Sequence, residues 1–482
     1  MSEKQVRKGC ALVLAVYVIL AVGFFWISGD QLRFRESETT AINPSTPVGE
    51  LVQGMEVRQP FTAPGDEILS VSMLLSTYQR ENTVQVVVEL VDSDGLVLAH
   101  TELNGAEIVD NAVREIPFVQ PVSVKPGERY ELVLTSPDGV PGNAITAWLG
   151  NTMPVARGEI PVEITDKLLV NGTPQEGMLH YSFRSRTYLW FGESYWYLAT
   201  AAGLLLAGYC LYLCLMTRWG RSCLALRVIS AFQRYGYLMR QLVARDFKTK
   251  YKRSVLGVLW SFLNPLLTMM VQYIVFSTLF KSDIPNFRLY LLSGIVCFNF
   301  FSEATTMALQ SIVGNASLIT KVYVPKYIYP VSRVFSYAIN LLLSLIPLLA
   351  VMLLTRTPVR PVILLLPFGL LCLVAFCIGM GFLLSTLMVF FRDTQFLWGV
   401  VSMLWMYATP IFYPESIIPA QYMALYKCNP MYHIIRFVRI LLIEGVSPEP
   451  KAYGLCLIAS FVPLVVGAVI FKKNQDKFIL NL

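Results

Sequence analysis

The sequence predicts a multi-span α-helical membrane protein that carries an added β-sandwich or jelly-roll domain. Of its 482 residues, 55% are hydrophobic and only 15% are charged, which is less charge than a soluble protein of this length carries. Several apolar runs of about 20 residues are long enough to cross a bilayer. Residues 29–193 have no such run and instead show short alternating segments punctuated by Gly and Pro.

The first predicted span lies within residues 1–28. Lys4, Arg7 and Lys8 precede an apolar run from Cys10 to Ser28. The run is long for a signal peptide, and the bulky residues 24–27 stand where small residues would mark a cleavage site. We therefore predict an uncleaved anchor with a cytosolic N-terminus.

Residues 29–193 form the predicted β-domain, which the flanking spans place outside the cytoplasm. Residues 83–103 alternate around a D-S-D-G turn, a hairpin pattern, and no cysteine lies between residues 29 and 209 to support a disulfide framework. Asp92 and Asp94 also match the D-x-D of metal-dependent glycosyltransferases, although the Gly95 that follows favours a plain turn.

Carbohydrate binding by this domain is a hypothesis from fold-level analogy, because many sandwiches bind glycans. Three aromatic residues are candidate stacking platforms for sugars, with core packing as the alternative for each: Tyr78, Trp148 and Tyr181.

A second span, residues 194–216, returns the chain to the cytosol. Residues 217–254 then contain ten basic residues and one acid, Asp246. At 100° per residue one face is apolar (Val228, Ala231, Tyr235, Leu238, Leu242) and the adjoining flank is polar or cationic (Arg234, Gln241, Arg245, Lys248, Lys252). This pattern predicts a helix lying in the plane of the inner leaflet. A helix of a soluble domain and a nucleic-acid patch are alternatives, but the junction with a span argues against both.

Residues 255–482 are predicted to form a six-span domain. The spans are Val255–Phe280, Leu289–Leu309, Val331–Leu354, Pro361–Phe390, Phe396–Ile411 and Tyr453–Phe471. The total of eight spans puts both termini in the cytosol. Basic residues are more frequent in the segments assigned to the inside, as the positive-inside rule requires.

The stretch from Arg245 to Pro265 carries a long motif, R-D-x-K-x-x-Y-K-x-S-x-L-G-x-x-W-x-x-x-N-P. This motif, which follows the amphipathic helix and opens the next span, resembles the permease subunits of ABC exporters for polysaccharides of the O-antigen and teichoic-acid type. The resemblance extends over Val228–Leu482. It implies a homodimeric permease for a lipid-linked, undecaprenyl-type polysaccharide in the bacterial cytoplasmic membrane. The lipid pyrophosphate would be attracted by Arg245, Lys248, Lys252 and Arg253.

The chain contains no G-x-x-x-x-G-K-[ST] motif with which to bind ATP phosphates. The resemblance therefore implies that a separate ATPase subunit, in two copies, binds ATP and Mg²⁺. Residues 314–330 match the family pattern N-x-x-L-I-x-K-x-x-x-P, which implies a coupling helix. The expected contacts with the ATPase are Asn315, Leu318, Ile319, Lys321 and Tyr323. A purely structural loop is the alternative.

A conduit for a glycan needs aromatic rings and hydrogen-bonding groups. The candidate channel-lining residues are Tyr273, Phe276, Phe298, Phe301, Glu303, Trp405 and Tyr407, although many aromatics in such spans face lipid instead. Glu303 is the sharpest candidate, because an acid within a span faces the bundle interior or water. Residues 412–445 are broken by proline, and the resemblance implies re-entrant outer helices there.

Two alternative functions remain at this point. A polysaccharide chain-length regulator also brackets a large domain with two spans, but it would leave six spans unexplained. A membrane glycosyltransferase needs an acidic pair at a membrane face, for which only Asp92 and Asp94 offer themselves. No metal site or catalytic histidine group is expected from the three histidines and nine cysteines.

Overall fold

A computed structural model describes residues 3–39, 41–150, 167–221, 223–251, 257–280, 286–321 and 324–481. The chain divides into two compact units. One contains Leu32–Tyr195, and the other contains Met1–Gln31 together with Trp196–Leu482. The first is built from strands and the second from helices, as the composition predicts.

The β-domain contains thirteen described strands. They are β1 (Phe34–Glu38), β2 (Thr46–Pro47), β3 (Glu56–Thr62), β4 (Glu67–Ser76), β5 (Gln85–Val91), β6 (Val97–Asn104), β7 (Ala112–Ser123), β8 (Arg129–Thr135), β9 (Thr146–Gly150), β10 (Leu168–Val170), β11 (Thr173–Gln175), β12 (Met178–Leu179) and β13 (Tyr181–Tyr188).

These strands form two antiparallel sheets. One has the order β1-β13-β4-β9-β12, with β7 also paired to β4 and β2 to β9, and the other has the order β11-β10-β3-β8-β5-β6. Alternating residues of both sheets fill one core, in which the rings of Phe61 and Phe183 lie 4.3 Å apart. The predicted β-sandwich is therefore present among the described residues.

Two short segments of this domain, Asp92–Gly95 and Asn171–Gly172, form turns. The Asp92 carboxylate accepts hydrogen bonds from the backbone N–H groups of Asp94 and Leu96, each at 2.9 Å. Asn171 and Gly172 both have positive φ, as the tight turn between β10 and β11 requires. The Asp92 carboxylate accordingly stabilises a turn, as the plain-turn interpretation predicts.

The other unit is helical. Its helices are α1 (Glu3–Ser28), α2 (Trp190–Arg218), α3 (Leu224–Tyr251), α4 (Trp260–Phe280), α5 (Phe287–Leu309), α6 (Ala316–Lys321), α7 (Ile328–Leu354), α8 (Leu366–Phe390), α9 (Thr394–Tyr407), α10 (Ala420–Lys427), α11 (Pro430–Arg439), α12 (Pro450–Asn474) and α13 (Phe478–Asn481). The first turn of α2 belongs to the β-domain unit. Helix α2 starts earlier than the predicted residue 194, and its first turn contains Glu193, where an acidic side chain is favourable.

Six described helical segments are long and apolar enough to cross a membrane: Glu3–Ser28, Trp190–Arg218, Phe287–Leu309, Ile328–Leu354, Pro361–Phe390 and Pro450–Asn481. The apolar part of α4, Trp260–Phe276, is shorter. Helix α9 has 14 residues, or about 21 Å, against a hydrocarbon core of about 30 Å. Helix α4 as a whole has 21 residues, or about 31 Å, so the predicted span that contains it is long enough, whereas the one that contains α9 is not. The count of eight spans stays a prediction.

Helix α5 is the centre of the helical unit. Most of its side chains are buried, and α4, α7, α8, α9 and α11 pack around it. Helix α12 packs along α8. A smaller cluster joins the ends of several helices through Ile312, Ile319, Tyr329, Phe382 and Phe478. The candidate site lies where the end of α3 meets α4, α5 and α7.

Candidate functional site

The basic end of α3 is fixed to α7 by one carboxylate. Asp246 binds the guanidinium of Arg333 at 2.9 Å, and the Arg245 guanidinium lies 3.1 Å away on its other side. The Asp246 side chain is only 10% exposed, so this pairing is shielded from solvent. Leu242, from the predicted apolar face, is buried. The helix thus packs part of that face on protein.

The cationic flank of α3 faces outward, as its periodicity predicts. Arg234, Arg245 and Lys248 are exposed. Two of the four residues predicted to attract the lipid pyrophosphate, Lys252 and Arg253, lie outside the described residues. Of these four residues, Arg245 and Lys248 are therefore accessible to an anion.

Lys250, one turn further along, points toward α5 and α7. Its ammonium lies 3.0 Å from the Glu303 carboxylate and 4.4 Å from the centre of the Tyr337 ring. Glu303 thus has a cationic partner from α3, although its side chain remains 44% exposed. This agrees with the expectation that an acid in a span faces the interior or water.

Two adjoining cavities surround this ion pair, and Lys250, Tyr337 and Asn340 line both. The first, which we call the amide cavity, has a volume of about 280 Å³. Its walls come from the end of α3 and from α4, α5 and α7: Lys250, Trp260, Ser261, Asn264, Pro265, Val296, Asn299, Phe300, Glu303, Tyr337, Asn340, Leu341 and Ser344.

The second cavity, which we call the arginine cavity, has a volume of about 390 Å³. Besides the three shared residues, it is lined by Arg245, Asp246, Phe247, Thr249, Met307, Arg333 and Ser336. The predicted cationic flank of α3 therefore adjoins a polar cavity. The sequence analysis did not single out Asn299 and Asn340, although an amide inside an apolar span is a signal that could have found them.

The predicted coupling segment contains α6 and divides into an inner and an outer face. Asn315 is buried and donates a hydrogen bond to the carbonyl of Ser311 at 2.7 Å. Ile319 is also buried and Leu318 is half-buried, both against the small cluster around Tyr329 and Phe478. The expectation that Asn315 and Ile319 contact an ATPase is therefore wrong for these side chains, because they pack inside the chain.

The outer face of α6 consists of Ser317, Thr320 and Lys321, all exposed. Of the predicted contacts, Lys321 is thus accessible, and Tyr323 lies outside the described residues. Pro330, the last residue of the predicted segment, lies in the first turn of α7.

The predicted channel-lining aromatic residues differ in how deeply their side chains are buried. Phe298 and Phe301 are 3% and 0% exposed, and the Phe301 ring packs between Phe376, Trp398 and Trp405. The expectation that these two phenylalanines line a channel is wrong, because both fill the core around α5.

The other predicted aromatics are at least partly accessible. Tyr273 is half-buried beneath the Arg288 guanidinium, and Phe276 stacks on Phe412 at 5.2 Å. Tyr407 is 57% exposed. Trp405 is half-buried and donates its indole N–H to the Asn429 amide oxygen at 2.8 Å. Tyr273, Phe276, Trp405 and Tyr407 therefore stay candidates for contact with a transported chain.

Residues 412–445 form α10, α11 and the π-helix Ile440–Glu444, each too short to span a bilayer. A residue that sequence analysis missed holds this segment. The buried Arg439 donates to the carbonyls of Pro410, Ile411 and Tyr290 at 2.6–3.2 Å and lies 3.4 Å above the Tyr290 ring. Its partners are backbone atoms distant in sequence, which no side-chain pattern reveals.

The aromatic residues proposed for the β-domain also differ in exposure. Tyr181 is 9% exposed and packs with Phe61 and Phe183, so the expectation that it is a surface platform is wrong. Trp148 is half-buried and donates its indole N–H to Asn111 at 3.0 Å. Tyr78 is half-buried in a loop with left-handed backbone (φ 56°), beneath the Arg80 guanidinium.

A bundle of long apolar helices, with a basic helix fixed beside polar cavities, is typical of a multi-span membrane protein. Comparison with known proteins identifies the family. The model of the ABC-2 type transporter family matches residues 237–443. The chain belongs to this family of ABC transporter permeases. The membership favours the permease interpretation over the chain-length regulator and the glycosyltransferase.

Several characterised proteins are similar over nearly their whole length. The O-antigen export system permease protein RfbA of Klebsiella pneumoniae is 33% identical over 249 residues, which cover 50% of this chain and 95% of that protein. RfbA of Myxococcus xanthus is 30% identical over 52% of this chain and 98% of its own length. The polysialic acid transport protein KpsM of Escherichia coli is 22% identical, covering 52% and 99%. The similarity thus covers about half of this chain and nearly the whole of each of these proteins.

Proposed function

We propose that this protein is the permease subunit of an ABC exporter for a lipid-linked polysaccharide, such as an O-antigen, a teichoic acid or a similar surface glycan. Two copies would form the permease of the bacterial cytoplasmic membrane, and two copies of a separate ATPase subunit would supply ATP and Mg²⁺. The observation that carries this proposal is the similarity to O-antigen export permeases over almost their entire length.

The lipid-linked substrate, of undecaprenyl type, would be captured at the end of α3. Arg245 and Lys248 are exposed there, and the sequence places Lys252 and Arg253 directly after them. Cationic side chains make charge-assisted hydrogen bonds to phosphate oxygens. The Arg333–Asp246 pair supports this role, because it holds the cationic flank beside the two polar cavities.

The ATPase would dock on the outer face of α6. Ser317, Thr320 and Lys321 are exposed, while Ile319 on the inner face packs against Tyr329. Movement of α6 would thus be transmitted to the start of α7 through a packed core. This arrangement supports a coupling role for residues 314–330.

The β-domain, residues 29–193, would lie outside the cytoplasm, with both chain termini inside. Its function would be to hold the emerging glycan, with Tyr78 and Trp148 as the remaining candidate stacking residues. A domain tethered at the exit meets the glycan at high effective concentration, so weak binding suffices.

Reconstitution tests the export function. The permease is co-expressed with its ATPase, purified, and inserted into vesicles loaded with the lipid-linked glycan of the source cell. We expect ATP-dependent appearance of glycan on the side opposite the ATPase, and none without ATP or without the ATPase subunit. Glycan that crosses equally without ATP would contradict the proposal, as would ATPase activity or sugar transfer by this chain alone.

A further inference from the structure

We infer that the amide cavity binds a single sugar ring, the first residue of the lipid-linked glycan, while the pyrophosphate beside that residue binds at the arginine cavity. The inference rests on the proposed export function and specifies how its substrate is recognised. It assigns a function to Asn264, Asn299 and Asn340.

The first argument is the polar chemistry of the amide cavity. Asn264, Asn299 and Asn340 come from α4, α5 and α7, and the Ser344 hydroxyl and Glu303 carboxylate join them. An amide both donates and accepts hydrogen bonds, and a carboxylate accepts them. Neighbouring hydroxyl groups of a sugar both donate and accept, so this set is complementary to them. Because the residues lie on three helices, their geometry is fixed by helix packing.

The second argument is the presence of rings among these polar groups. Trp260, Phe300 and Tyr337 line the same cavity. A sugar ring has an apolar C–H face beside its hydroxyls, and an amphipathic aromatic side chain packs well on such a surface. Metal ions and free inorganic anions bind polar or charged groups, so three aromatic walls favour a sugar ring over either of them.

The third argument is charge. Glu303 lines the amide cavity and already binds Lys250 at 3.0 Å. A phosphate placed there would lie next to a carboxylate and would compete with it for that lysine. The arginine cavity instead brings Arg245, Arg333 and Lys250 together around the single acid Asp246. The charges therefore favour phosphate in the arginine cavity and a neutral hydroxylated group in the amide cavity.

The fourth argument is size and continuity. The amide cavity, about 280 Å³, is slightly smaller than the range of about 300–1,000 Å³ typical for drug-sized ligands. One sugar ring suits this volume better than a glycan chain. The two cavities share Lys250, Tyr337 and Asn340, and the pyrophosphate and first sugar of a lipid-linked glycan are directly bonded. The two adjoining cavities can therefore hold the sugar and the pyrophosphate of one substrate molecule.

The test compares two short lipids on the complete transporter with its ATPase, in nanodiscs. One probe is a polyprenyl pyrophosphate, and the other is the same lipid bearing one hexose or N-acetylhexosamine. Binding is measured by titration, with ATPase stimulation as a second readout. We expect the wild type to bind a sugar-bearing lipid about tenfold more tightly than the bare lipid.

The variants then separate the two cavities. The double substitution Asn264→Ala and Asn299→Ala, at two residues that line the amide cavity and not the arginine cavity, is expected to remove the tenfold preference while leaving affinity for the bare pyrophosphate nearly unchanged. Arg245→Gln is expected to weaken both lipids alike. Thr306→Ala, at an exposed position of α5, is the matched control and leaves both affinities unchanged. If the double variant fails to fold, Glu303→Gln, which keeps the side-chain shape, is expected to reduce the same preference.

Three outcomes decide the question. Loss of the sugar preference alone supports the inference. An equal loss for both lipids in the asparagine and Glu303 variants, or a wild type that binds both probes equally, overturns the sugar site while leaving the export function intact. A wild type that binds neither lipid contradicts the proposed function itself.

Discussion

Gly379 of α8 and Gly467 of α12 meet backbone to backbone. A Cβ atom added at Gly467 would lie 2.1 Å from the Gly379 carbonyl oxygen, and one added at Gly379 would lie 2.5 Å from the Leu464 nitrogen. Neither contact can be relieved by turning a side chain, because both neighbours are backbone atoms. Small residues of this kind allow membrane helices to approach closely.

Gly467→Ala is therefore expected to destabilise the helical unit by about 1–3 kcal/mol, the usual cost of overpacking. The control is Gly454→Ala on the same helix, where an added Cβ has no neighbour within 4 Å. Melting of the detergent-solubilised protein, followed by size-exclusion chromatography with fluorescence detection, measures the difference. Equal melting temperatures for the two variants would show that α8 and α12 are not packed this closely.

Arg439 supplies the second prediction. Arg439→Met removes donors to three backbone carbonyls, and hydrogen bonds to charged groups contribute about 1.5–3 kcal/mol each. The substitution also removes the desolvation penalty of a buried guanidinium, so the expected net cost is lower than the sum of the bonds, roughly 2–4 kcal/mol. Arg439→Lys should recover only part of the loss, because an ammonium lacks the planar fork. Arg436→Met, which removes a half-exposed guanidinium 3.9 Å from Glu415, is the matched control. Limited proteolysis near residues 410–419 provides the readout, and equal protection of all variants would contradict the assignment.

The third prediction concerns the coupling segment. Ser317→Trp and Lys321→Glu alter the exposed face of α6, so both variants should fold normally but lose most of the ATPase stimulation that the permease confers. Ile319→Ala acts on the inner face and is expected to cost about 2–5 kcal/mol of stability, as for other buried large-to-small substitutions. Co-purification and ATP hydrolysis are measured beside thermal melting. Full stimulation by both outer-face variants would remove the docking role from α6.

The fourth prediction concerns the cationic flank of α3. Replacing Lys248, Lys252 and Arg253 with Gln is expected to leave the protein folded and to reduce export severalfold at limiting substrate. The loss should shrink at high salt, because salt already screens exposed charges in the wild type. The variant Lys472→Gln with Lys473→Gln controls for total positive charge at exposed positions of α12. Export unaffected by the triple change would mean that the flank serves only topology.

The fifth prediction is a pH dependence in the isolated β-domain. Hydrogen bonds from Arg186 and Arg184 lower the pKa of the Glu36 carboxyl, against a smaller opposing effect of burial. A lowered pKa in the folded state means that the unfolded state binds more protons in acid. The contribution of Glu36 is thus present above its unfolded pKa of about 4.3 and is lost as pH falls through the folded value.

A fragment of residues 32–189 should therefore lose stability between about pH 5 and pH 3 more steeply than its Glu36→Gln variant. A fragment of residues 43–183 should melt at lower temperature at neutral pH, because it lacks β1 and the end of β13, which pair with each other. Circular dichroism of the three fragments measures both effects. Identical acid transitions for wild type and Glu36→Gln would exclude this ion pair as their cause.

The sequence predicted features that depend on composition and periodicity. The apolar runs at α1 and α2 are long enough to be recognised alone, and the exposed charges of α3 follow its helical period. Burial within an apolar region was not predictable, since an aromatic residue in a span has similar local surroundings whether it faces lipid, a channel or the core. The prediction for Phe301 is wrong for this reason, and that for Ile319 because a six-residue helix gives too little periodicity to distinguish its faces. Tyr181 lies on a strand instead, where its alternation with Arg184 on the opposite face could have indicated that it points into the core.

The candidate site was predictable in part. The basic motif identified the end of α3, and the acid at Glu303 indicated a polar interior. The pairing of Lys250 with Glu303 joins residues 53 apart and depends on how α3 packs against α5 and α7. The Arg439 contacts with carbonyl oxygens depend on the path of the backbone, which side-chain identities alone do not specify.

The pairing of β1 with β13 determines when the β-domain can be completed during synthesis. Glu36 and Arg186, which are joined across these strands, are 150 residues apart in the chain. Strand β13 also pairs with β4, so that sheet lacks an interior strand until the last residues of the domain have been made. Contacts of such long sequence separation form slowly. Because α2 begins at Trp190, immediately after β13, the last strand of the domain and the next apolar helix emerge from the ribosome almost together.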